Sequence, residues 1–305
     1  MKQVLEIHVN LWYNKINKDL TRKLVIPLKD ISLTKEQWHE NDLRTIENYR
    51  PMDDDFMREL FRDDLSLAQV VLRIITGIND LELTSQQTQY DMKRLLGARS
   101  ICLDVFGTDS QGRKFDLEIQ RADRGATPQR ARYHSSAMDV EFLKAKEEFT
   151  ELPITYVIFI TENDVRGENK LIYNFEWTEK ESGKLLGDGA HIIFVNGAYS
   201  NAEDSSDLAK LVHDFRCKNA EDMYTKPLAE KTRYYKETPE GVSYMCKAIE
   251  EMRNQAQAER EYQTQIKIAL NLISLGTVSI EDIAKATNLS LEDVQELAAS
   301  VSAKS

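Results

Sequence analysis

The period of the hydrophobic positions changes several times along the chain, and each change predicts a new element. Over residues 56–75 apolar residues recur at helical spacing, which predicts one or two amphipathic helices. Before them, Thr34 and Gln37 form a capping box, which predicts a helix that ends shortly before Pro51. We therefore predict that residues 1–50 are an N-terminal extension with a helix.

Alternating or continuous apolar positions predict strands in the middle of the chain. The stretch "ITYVIFI" (154–160) is apolar on both faces, as a central strand covered by helices would be. Thr127 as the N-cap and Pro128 at the first helical position predict a helix that runs to about Phe149. The other predicted strands are "LEL" (81–83), "SICLDVF" (100–106), "RKFDLEIQ" (113–120), "LIYNFEW" (171–177) and "HIIFVNG" (191–197).

The pattern beyond residue 204 is helical. Apolar residues over 245–273 follow a 4-3 spacing that polar residues interrupt, which favours a helix packed on its own domain over a coiled coil. Two Ser-x-x-Asp caps, at Ser279 and Ser290, then predict two short helices that resemble a helix-turn-helix. The second helix carries three acids and no base before Lys304. It suits packing or partner binding better than a DNA major groove, and the DNA-reading alternative stays open.

Composition indicates an ordinary globular protein. With 305 residues, of which 41% are hydrophobic, the chain is long enough for one large domain or two small ones. Its three cysteines form neither a disulfide framework nor a zinc spacing such as CxxC, which favours the reducing cytoplasm. No signal peptide or membrane span is visible, so we expect no membrane partner. The five histidines show no metal spacing and no nucleophile motif, which argues against histidine-based catalysis.

The charge balance restricts any contact with nucleic acid to a local surface. The chain has 40 Lys and Arg against 51 Asp and Glu, a net charge of -11, and this charge repels a polyanion at long range. Between Lys93 and Arg132 the balance reverses, because nine bases face five acids and the stretch carries +4. We expect nucleic acid to be bound there if it is bound at all.

The stretch "LDVFGTDSQGRKFDLEIQ" (103–120) predicts a hairpin with acids inside its strands. A register centred on Gln111 places Asp104 opposite Glu118, with about 5 Å between their Cβ atoms. Two carboxylates that close repel each other unless one is protonated or a cation lies between them, and a hard divalent ion such as Mg2+ prefers oxygen ligands of this kind. The alternative is a solvent-facing hairpin whose acids are simply exposed.

Together with "RARYHSSAMD" and "LPITYVIFIT", this hairpin resembles the PD-(D/E)xK nuclease superfamily, and within it the Rpn-type family of recombination-promoting nucleases and transposases. Further similar blocks lie at 52–61, 72–83 and 187–197, so the resemblance covers about residues 51–235. It implies an α/β fold with a restriction-endonuclease-like core, in which helices flank a central mixed β-sheet. A helical tail with the helix-turn-helix-like hairpin would then occupy residues 236–305.

The resemblance also implies a metal site. Asp104 and Glu118 match the metal-binding carboxylates, and the backbone carbonyl of Ile119 would be a further ligand. Mg2+ is the expected ion, with Mn2+ or Ca2+ as alternatives. An acid of the preceding helix, Asp55 or Glu59, is a candidate for completing the ligand shell.

Gln120 occupies the position that is Lys in the superfamily motif, and Gln there is similar to the Rpn-type pattern. An amide can orient the attacking water and donate a hydrogen bond to a phosphate oxygen, but it supplies no positive charge. Another cation must offset the developing charge, and Arg130 and Arg132 are the candidates for this role and for binding DNA.

The expected function is therefore that of a metal-dependent DNA endonuclease that hydrolyses phosphodiester bonds, with a link to recombination or transposition. The alternative from another class is a catalytically weak or inactive nuclease-fold protein that binds DNA or a protein partner, and a metal-independent structural protein remains if the resemblance misleads. A homodimer is open, since nucleases that cut both strands often act as dimers.

Overall fold

The computed structural model describes residues 34–92, 101–121 and 125–302. Residues 1–33 of the predicted extension lie outside this part, and so do Lys93, Arg94, Arg99 and Arg124 of the predicted basic stretch. Contacts group the chain from Ile46 onward into one compact unit, which contains the sheet.

Helices and strands alternate through the middle of the chain, and helices alone follow. The helices are α1 (Lys35–Asn48), α2 (Asp54–Phe61), α3 (Leu65–Thr76), α4 (Pro128–Phe142), α5 (Asp207–Arg216), α6 (Lys226–Glu237), α7 (Pro239–Leu275), α8 (Ile280–Thr287) and α9 (Leu291–Ser302). The strands are β1 (Leu83–Met92), β2 (Ile101–Asp109), β3 (Lys114–Gln120), β4 (Thr155–Thr161), β5 (Ile172–Phe175) and β6 (Ala190–Asn196).

The strands form one mixed sheet in the order β1-β2-β3-β4-β6-β5. Neighbours from β1 to β3 pair antiparallel, β3, β4 and β6 pair parallel, and β5 pairs antiparallel with β6. β4 lies inside the sheet, and its residues from Val157 to Ile160 are almost completely buried. This burial on both faces confirms the prediction from the continuous apolar stretch.

Helices cover both faces of the sheet. On one face, Leu117 and Ile158 belong to a large core that also includes residues of α2, α3, α5, α6 and the start of α7. On the other face, Phe159 and Phe194 pack with Met138 of α4. This is the predicted α/β arrangement of a central mixed sheet flanked by helices, with a helical C-terminal region.

The predicted caps are present. Thr34 Oγ1 accepts a hydrogen bond from the Gln37 backbone N–H at 3.3 Å, and Thr127 Oγ1 accepts one from the Arg130 backbone N–H at 3.1 Å. The hydroxyls of Ser279 and Ser290 cap α8 and α9 in the same way.

Two element boundaries differ from the prediction. The strand predicted at 81–83 is wrong in extent, because β1 runs through a polar stretch from Leu83 to Met92. β1 lies at the edge of the sheet and is held by backbone pairing with β2, so it needs no continuous apolar face. The helix predicted to reach Phe149 ends at Phe142, because the mostly charged residues that follow are exposed and provide no face to bury.

α7 is a single helix of 37 residues. Its first turns join the large core through Met245, whereas residues 254–264 are exposed. Near its end, Ala269 packs with Ile283 and Val294 of the α8–α9 hairpin in a separate hydrophobic cluster. The prediction that this helix packs on its own domain therefore holds for its start only.

No helix among the described residues is long and apolar enough to cross a membrane. The division of the chain at residues 50 and 235 stays a prediction.

Candidate active site

The predicted hairpin forms with the predicted register. Val105 pairs with Leu117 and Phe106 with Asp116, and the same register continued by one residue places Asp104 opposite Glu118. At this position the two strands are joined by hydrogen bonds between carboxylate side chains and backbone N–H groups. The Asp104 backbone N–H donates to Glu118 Oε1 at 3.0 Å, and the Ile119 backbone N–H donates to Asp104 Oδ2 at 3.2 Å. Each acid thus accepts a hydrogen bond from the backbone of the strand that carries the other acid.

The two acids of β3 are buried and Asp104 of β2 is half-buried, which excludes the solvent-facing alternative. Glu118 is 0% exposed, and so is Asp116, which lies on the same face of β3 two residues earlier. Asp116 Oδ2 lies 2.8 Å from His134 Nδ1, and Asp116 Oδ1 is buried without a hydrogen-bond partner. The site therefore contains a third acid that the sequence analysis did not assign.

His134 joins the acids to Arg130, one turn earlier on α4. Arg130 Nε donates to His134 Nε2 at 3.2 Å. Because Nε2 accepts this hydrogen bond, the neutral ring carries its proton on Nδ1 and donates it to Asp116. The sequence analysis argued against histidine-based catalysis and did not assign His134, which the structure places beside the acids.

Arg130 is the central cation of the cluster. Its guanidinium NH2 group donates to Glu118 Oε2 at 2.6 Å, and NH1 donates to Gln120 Oε1 at 3.0 Å. The guanidinium also lies 5.7 Å from the centre of the Phe159 ring. Arg130 therefore belongs to the acidic cluster and is not a freely extended surface residue.

Burial raises the pKa of all three carboxyl groups. The pKa of Glu118 rises to about 9, first through burial and then through the neighbouring charges of Asp116 and Asp104. Burial and the Asp104 charge raise the pKa of Asp116 well above its usual value. Burial also raises the pKa of Asp104, although the hydrogen bond from the Ile119 N–H opposes this shift. Without a further cation, the cluster favours protonated carboxyl groups.

Gln120 is fixed between Arg130 and Glu118. Its Oε1 accepts from Arg130, and its Nε2 lies 3.5 Å from Glu118 Oε2. Gly125 packs directly against this amide, since a Cβ atom at Gly125 would lie 1.9 Å from Gln120 Oε1. Glycine at this position leaves the space that the amide occupies.

The acid of α2 that acts on the site is Asp54, and the expectation for Asp55 or Glu59 is not supported. Asp55 accepts a hydrogen bond from the Tyr49 hydroxyl at 3.4 Å. Glu59 pairs with Arg62 at 2.8 Å and accepts from the Tyr244 hydroxyl at 2.8 Å. The charge of Asp54, by contrast, contributes to the raised pKa of Asp104.

Arg58, one turn after Asp54 on α2, brings a second positive charge toward the acids. The charge of Arg58 lowers the pKa of Asp104, in opposition to burial. It lowers the pKa of Asp54 as well. Its Nε is buried without a hydrogen-bond partner. The sequence analysis did not single out this residue.

Arg132 lies on another side of α4 from Arg130. It is exposed and lines a cavity of about 560 Å³, whose other lining residues include Asp139, Arg166 and Trp177. The structure therefore brings Asp104, Glu118, Ile119, Gln120 and Arg130 together, and places Arg132 elsewhere.

The donor set suits a divalent cation. Asp116, Glu118 and His134 each offer a ligand atom, and these atoms lie within 4.8 Å of one another. His134 Nδ1 would have to release its proton to bind a metal. The unpartnered Asp116 Oδ1 is a buried acceptor that a cation would satisfy. Carboxylate oxygens suit Mg2+ or Mn2+, and an added imidazole favours Mn2+ over Mg2+.

Residues 66–275, from the second residue of α3 to the end of α7, match the model of the PD-(D/E)XK nuclease family transposases. The chain belongs to this family. No curated protein and no solved structure matches it. The matched residues of this chain include the hairpin acids, His134 and both arginines of α4.

The sequence contains signals for two of the site residues that the sequence analysis missed, Asp116 and His134. Asp116 shares a strand face with Glu118, because side chains two residues apart point the same way. His134 follows Arg130 by four residues, which places both on one face of α4. What the sequence did not reveal is that this helical face turns toward the acids.

Proposed function

We propose that this chain is a divalent-metal-dependent DNA endonuclease that hydrolyses phosphodiester bonds. The observation that supports it is the complete burial of the Asp116 and Glu118 carboxyl groups beside the half-buried Asp104, with one oxygen of Asp116 left unpartnered, in a chain of a nuclease family. Burying carboxylates without a cation is costly, and clusters with strongly shifted pKa values are typical of functional sites.

The proposed ligands are Glu118, Asp116 and Asp104, with the Ile119 carbonyl as a further one. Mg2+ is the proposed ion, with Mn2+ or Ca2+ as alternatives. Such an ion, when bound, would lower the pKa of a water molecule and stabilise negative charge on the phosphate.

The chain's own residues would position the reactants and balance the charge. Gln120 would donate its amide N–H to the attacking water or to a phosphate oxygen, because Arg130 already binds its Oε1. Arg130 would supply the positive charge that an amide at this position lacks, and Arg58 would add to it. Arg132, which is exposed, would bind the DNA backbone farther along α4.

Cleavage of supercoiled plasmid with Mg2+, Mn2+ or a chelator tests this function. Asp104→Asn and Glu118→Gln remove the charge and keep the shape, and we expect each to lower metal-dependent cleavage at least about 100-fold. Asp188→Asn, at an exposed carboxyl group, is the matched control and should cut as well as the wild type. A wild type that cuts nothing, or charge-free variants that cut equally well, would overturn the proposal.

One observation favours a second function, that of a catalytically weak or inactive nuclease-fold protein that binds DNA or a protein partner. Arg130 NH2 lies 2.6 Å from Glu118 Oε2 and thus occupies an oxygen that a metal would use. The net charge of -11 adds no general attraction for DNA.

Arg130→Gln separates the two functions. If the ion pair blocks the metal, the variant binds Mn2+ more tightly and cuts faster than the wild type. If Arg130 supplies charge to the reaction, the variant binds Mn2+ at least as well but cuts more slowly.

The finer assignments rest on the sequence: the branch and its role on the resemblance, and the compartment on the cysteine pattern. We propose that the chain belongs to the Rpn-type branch, acts in the cytoplasm and takes part in recombination or transposition. A homodimer would place two sites on the two strands of a duplex. Light scattering of the purified chain, together with the ratio of linear to nicked plasmid, tests that assembly.

A further inference from the structure

We propose a second metal site, for Zn2+, formed by His213, Asp214 and Cys217 at the end of α5. Their ligand atoms lie within 4.8 Å of one another. The site includes a thiol and lies at the end of α5, whereas the carboxylate cluster lies on the strands β2 and β3. Soft thiolate and imidazole ligands select Zn2+ over Mg2+, so the two sites would bind different ions.

The two distances from His213 Nδ1 to the other ligand atoms are close to those around a tetrahedral zinc ion. His213 Nδ1 lies 3.1 Å from Asp214 Oδ1 and 3.5 Å from Cys217 Sγ. Zinc bonds of about 2.0–2.3 Å at tetrahedral angles place neighbouring ligand atoms about 3.5 Å apart. The side chains therefore already have nearly the required spacing.

The end of α5 brings two of these ligands together. His213 is in the last turn, and Cys217 is the C-cap residue four positions later, so both side chains lie on one side of the helix. The Cys217 thiol lies 3.5 Å from the His213 carbonyl oxygen, to which it donates. A metal would replace this weak hydrogen bond with a thiolate bond.

Asp214 and the ring of His213 are held by their surroundings. Asp214 is 0% exposed and accepts from the backbone N–H groups of Tyr224 and Thr225. The His213 ring packs 4.9 Å from the Tyr224 ring. Contacts of this kind orient metal ligands and are a regular part of metal sites.

Acidic side chains lie near the sulfur: Asp214 and Asp222 both act on the Cys217 thiol electrostatically, and their negative charge attracts a cation. The basic side chains nearby have other partners, since Lys210 pairs with Asp207 at 3.3 Å and Arg216 donates to the Gly197 carbonyl at 3.5 Å.

One side of the site is open. A cavity of about 660 Å³ lies next to it and is lined by His213 and Cys217 themselves and by residues of the loop before α5, such as Ser200 and Asn201. Three protein ligands with an open fourth position are typical of zinc ions that bind water or exchange a small ligand. The proposed ion would therefore keep a water molecule on the cavity side.

Titration of the metal-free full chain with Co2+, followed by competition with Zn2+, tests this site. We expect one equivalent of Co2+ to produce a thiolate-to-metal charge-transfer band that one equivalent of Zn2+ removes. Cys217→Ser should abolish the band, and His213→Gln should weaken binding at least about 100-fold. Cys102→Ser and Cys246→Ser are matched controls that should keep it. Glu118→Gln should also keep it, which separates this site from the nuclease site.

Absence of the band in the wild type, or Zn2+ binding by Cys217→Ser as tight as that of the wild type, would overturn the proposal. A second measurement needs no variant. Zn2+ should slow alkylation of Cys217 in the wild type at least about tenfold, as mass spectrometry of the labelled peptide would report, because a metal-bound thiolate is less reactive. Equal alkylation rates with and without Zn2+ would also overturn it.

Discussion

At the scale of single residues, the buried acids determine the chemistry of the site. Asp116 and Glu118 are completely buried, and Asp116 Oδ1 has no hydrogen-bond partner. Arg130 pairs with Glu118, and its link to Asp116 runs through His134. The guanidinium groups of Arg130 and Arg58 thus act on three carboxyl groups, whose pKa values are nevertheless raised, first by burial. A divalent ion would stabilise the charged form of these carboxyl groups.

Without bound metal, Glu118→Gln should become more stable relative to the wild type as the pH rises. The pKa of Glu118 is raised from 4.5 to about 9 in the folded chain, first by burial and then by Asp116 and Asp104. Between these values the folded state holds a proton that the unfolded state releases. The stability contributed by this group is therefore fully present below the unfolded pKa and is lost as the pH rises toward the folded one. An amide does not titrate in this range, so the variant does not lose this contribution to the free energy of unfolding.

Thermal unfolding from about pH 5 to about pH 8.5 measures this effect. The melting temperature of the variant should rise relative to that of the wild type by about 2–4 °C for each kcal/mol of relief. Glu148→Gln, at an exposed position, should show no such trend. Parallel melting curves for the wild type and Glu118→Gln at every pH would contradict the assignment.

At the scale of elements, the sequence predicted what depends on local patterns. The caps at Thr127 and Ser279, the buried strand β4 and the register of the β2–β3 hairpin follow from local residue types and from alternation. The length of β1 does not, because an edge strand is held by pairing with β2 and shows no apolar period of its own. The place of His134 depends on how α4 packs on the sheet, which alternation along one strand cannot report.

Thr127→Ala should impair cleavage more than its cost in stability explains. Thr127 Oγ1 accepts from the backbone N–H of Arg130, so the cap and the central cation of the site are directly joined. Loss of an N-cap costs about 1 kcal/mol, and here it also frees the turn that positions the guanidinium. Ser206→Ala is the matched control, because Ser206 caps α5 by the same bond to Ala209 and is remote from the acids in the chain.

Both variants should melt about 2–4 °C below the wild type. Only Thr127→Ala should slow metal-dependent cleavage, and Thr127→Ser should restore it. Equal loss of cleavage in the two alanine variants would show that the cap acts through stability alone.

At the scale of the whole molecule, the chain combines an α/β core with a helical region that is in part remote from it. The cluster around Ala269 and Val294 has its own buried residues, and the stretch of α7 before it is exposed. The acids on the hairpin, by contrast, are surrounded by α2, α4 and the sheet. We therefore expect the terminal hairpin to be dispensable for chemistry at the acids.

Val294→Asp tests this separation. Val294 is 0% exposed, so a carboxylate there should unfold the α8–α9 hairpin, because burying an unpaired charge is costly. Metal-dependent cleavage should stay within about twofold of the wild type. Val140→Asp, at a side chain that is 76% exposed, is the control and should change neither structure nor activity. Loss of cleavage in Val294→Asp with an intact core transition would mean that the hairpin contributes to the reaction.

The central claim is that the buried acids exist to hold a divalent ion. Titration with Mn2+, followed by electron paramagnetic resonance, measures this directly in the wild type, Glu118→Gln, Asp116→Asn and the exposed control Asp188→Asn. The account predicts that the wild type and the control bind one Mn2+ that both site variants lose, with affinity that rises with pH as the carboxyl groups release their protons. Equal Mn2+ binding by all four proteins would contradict it.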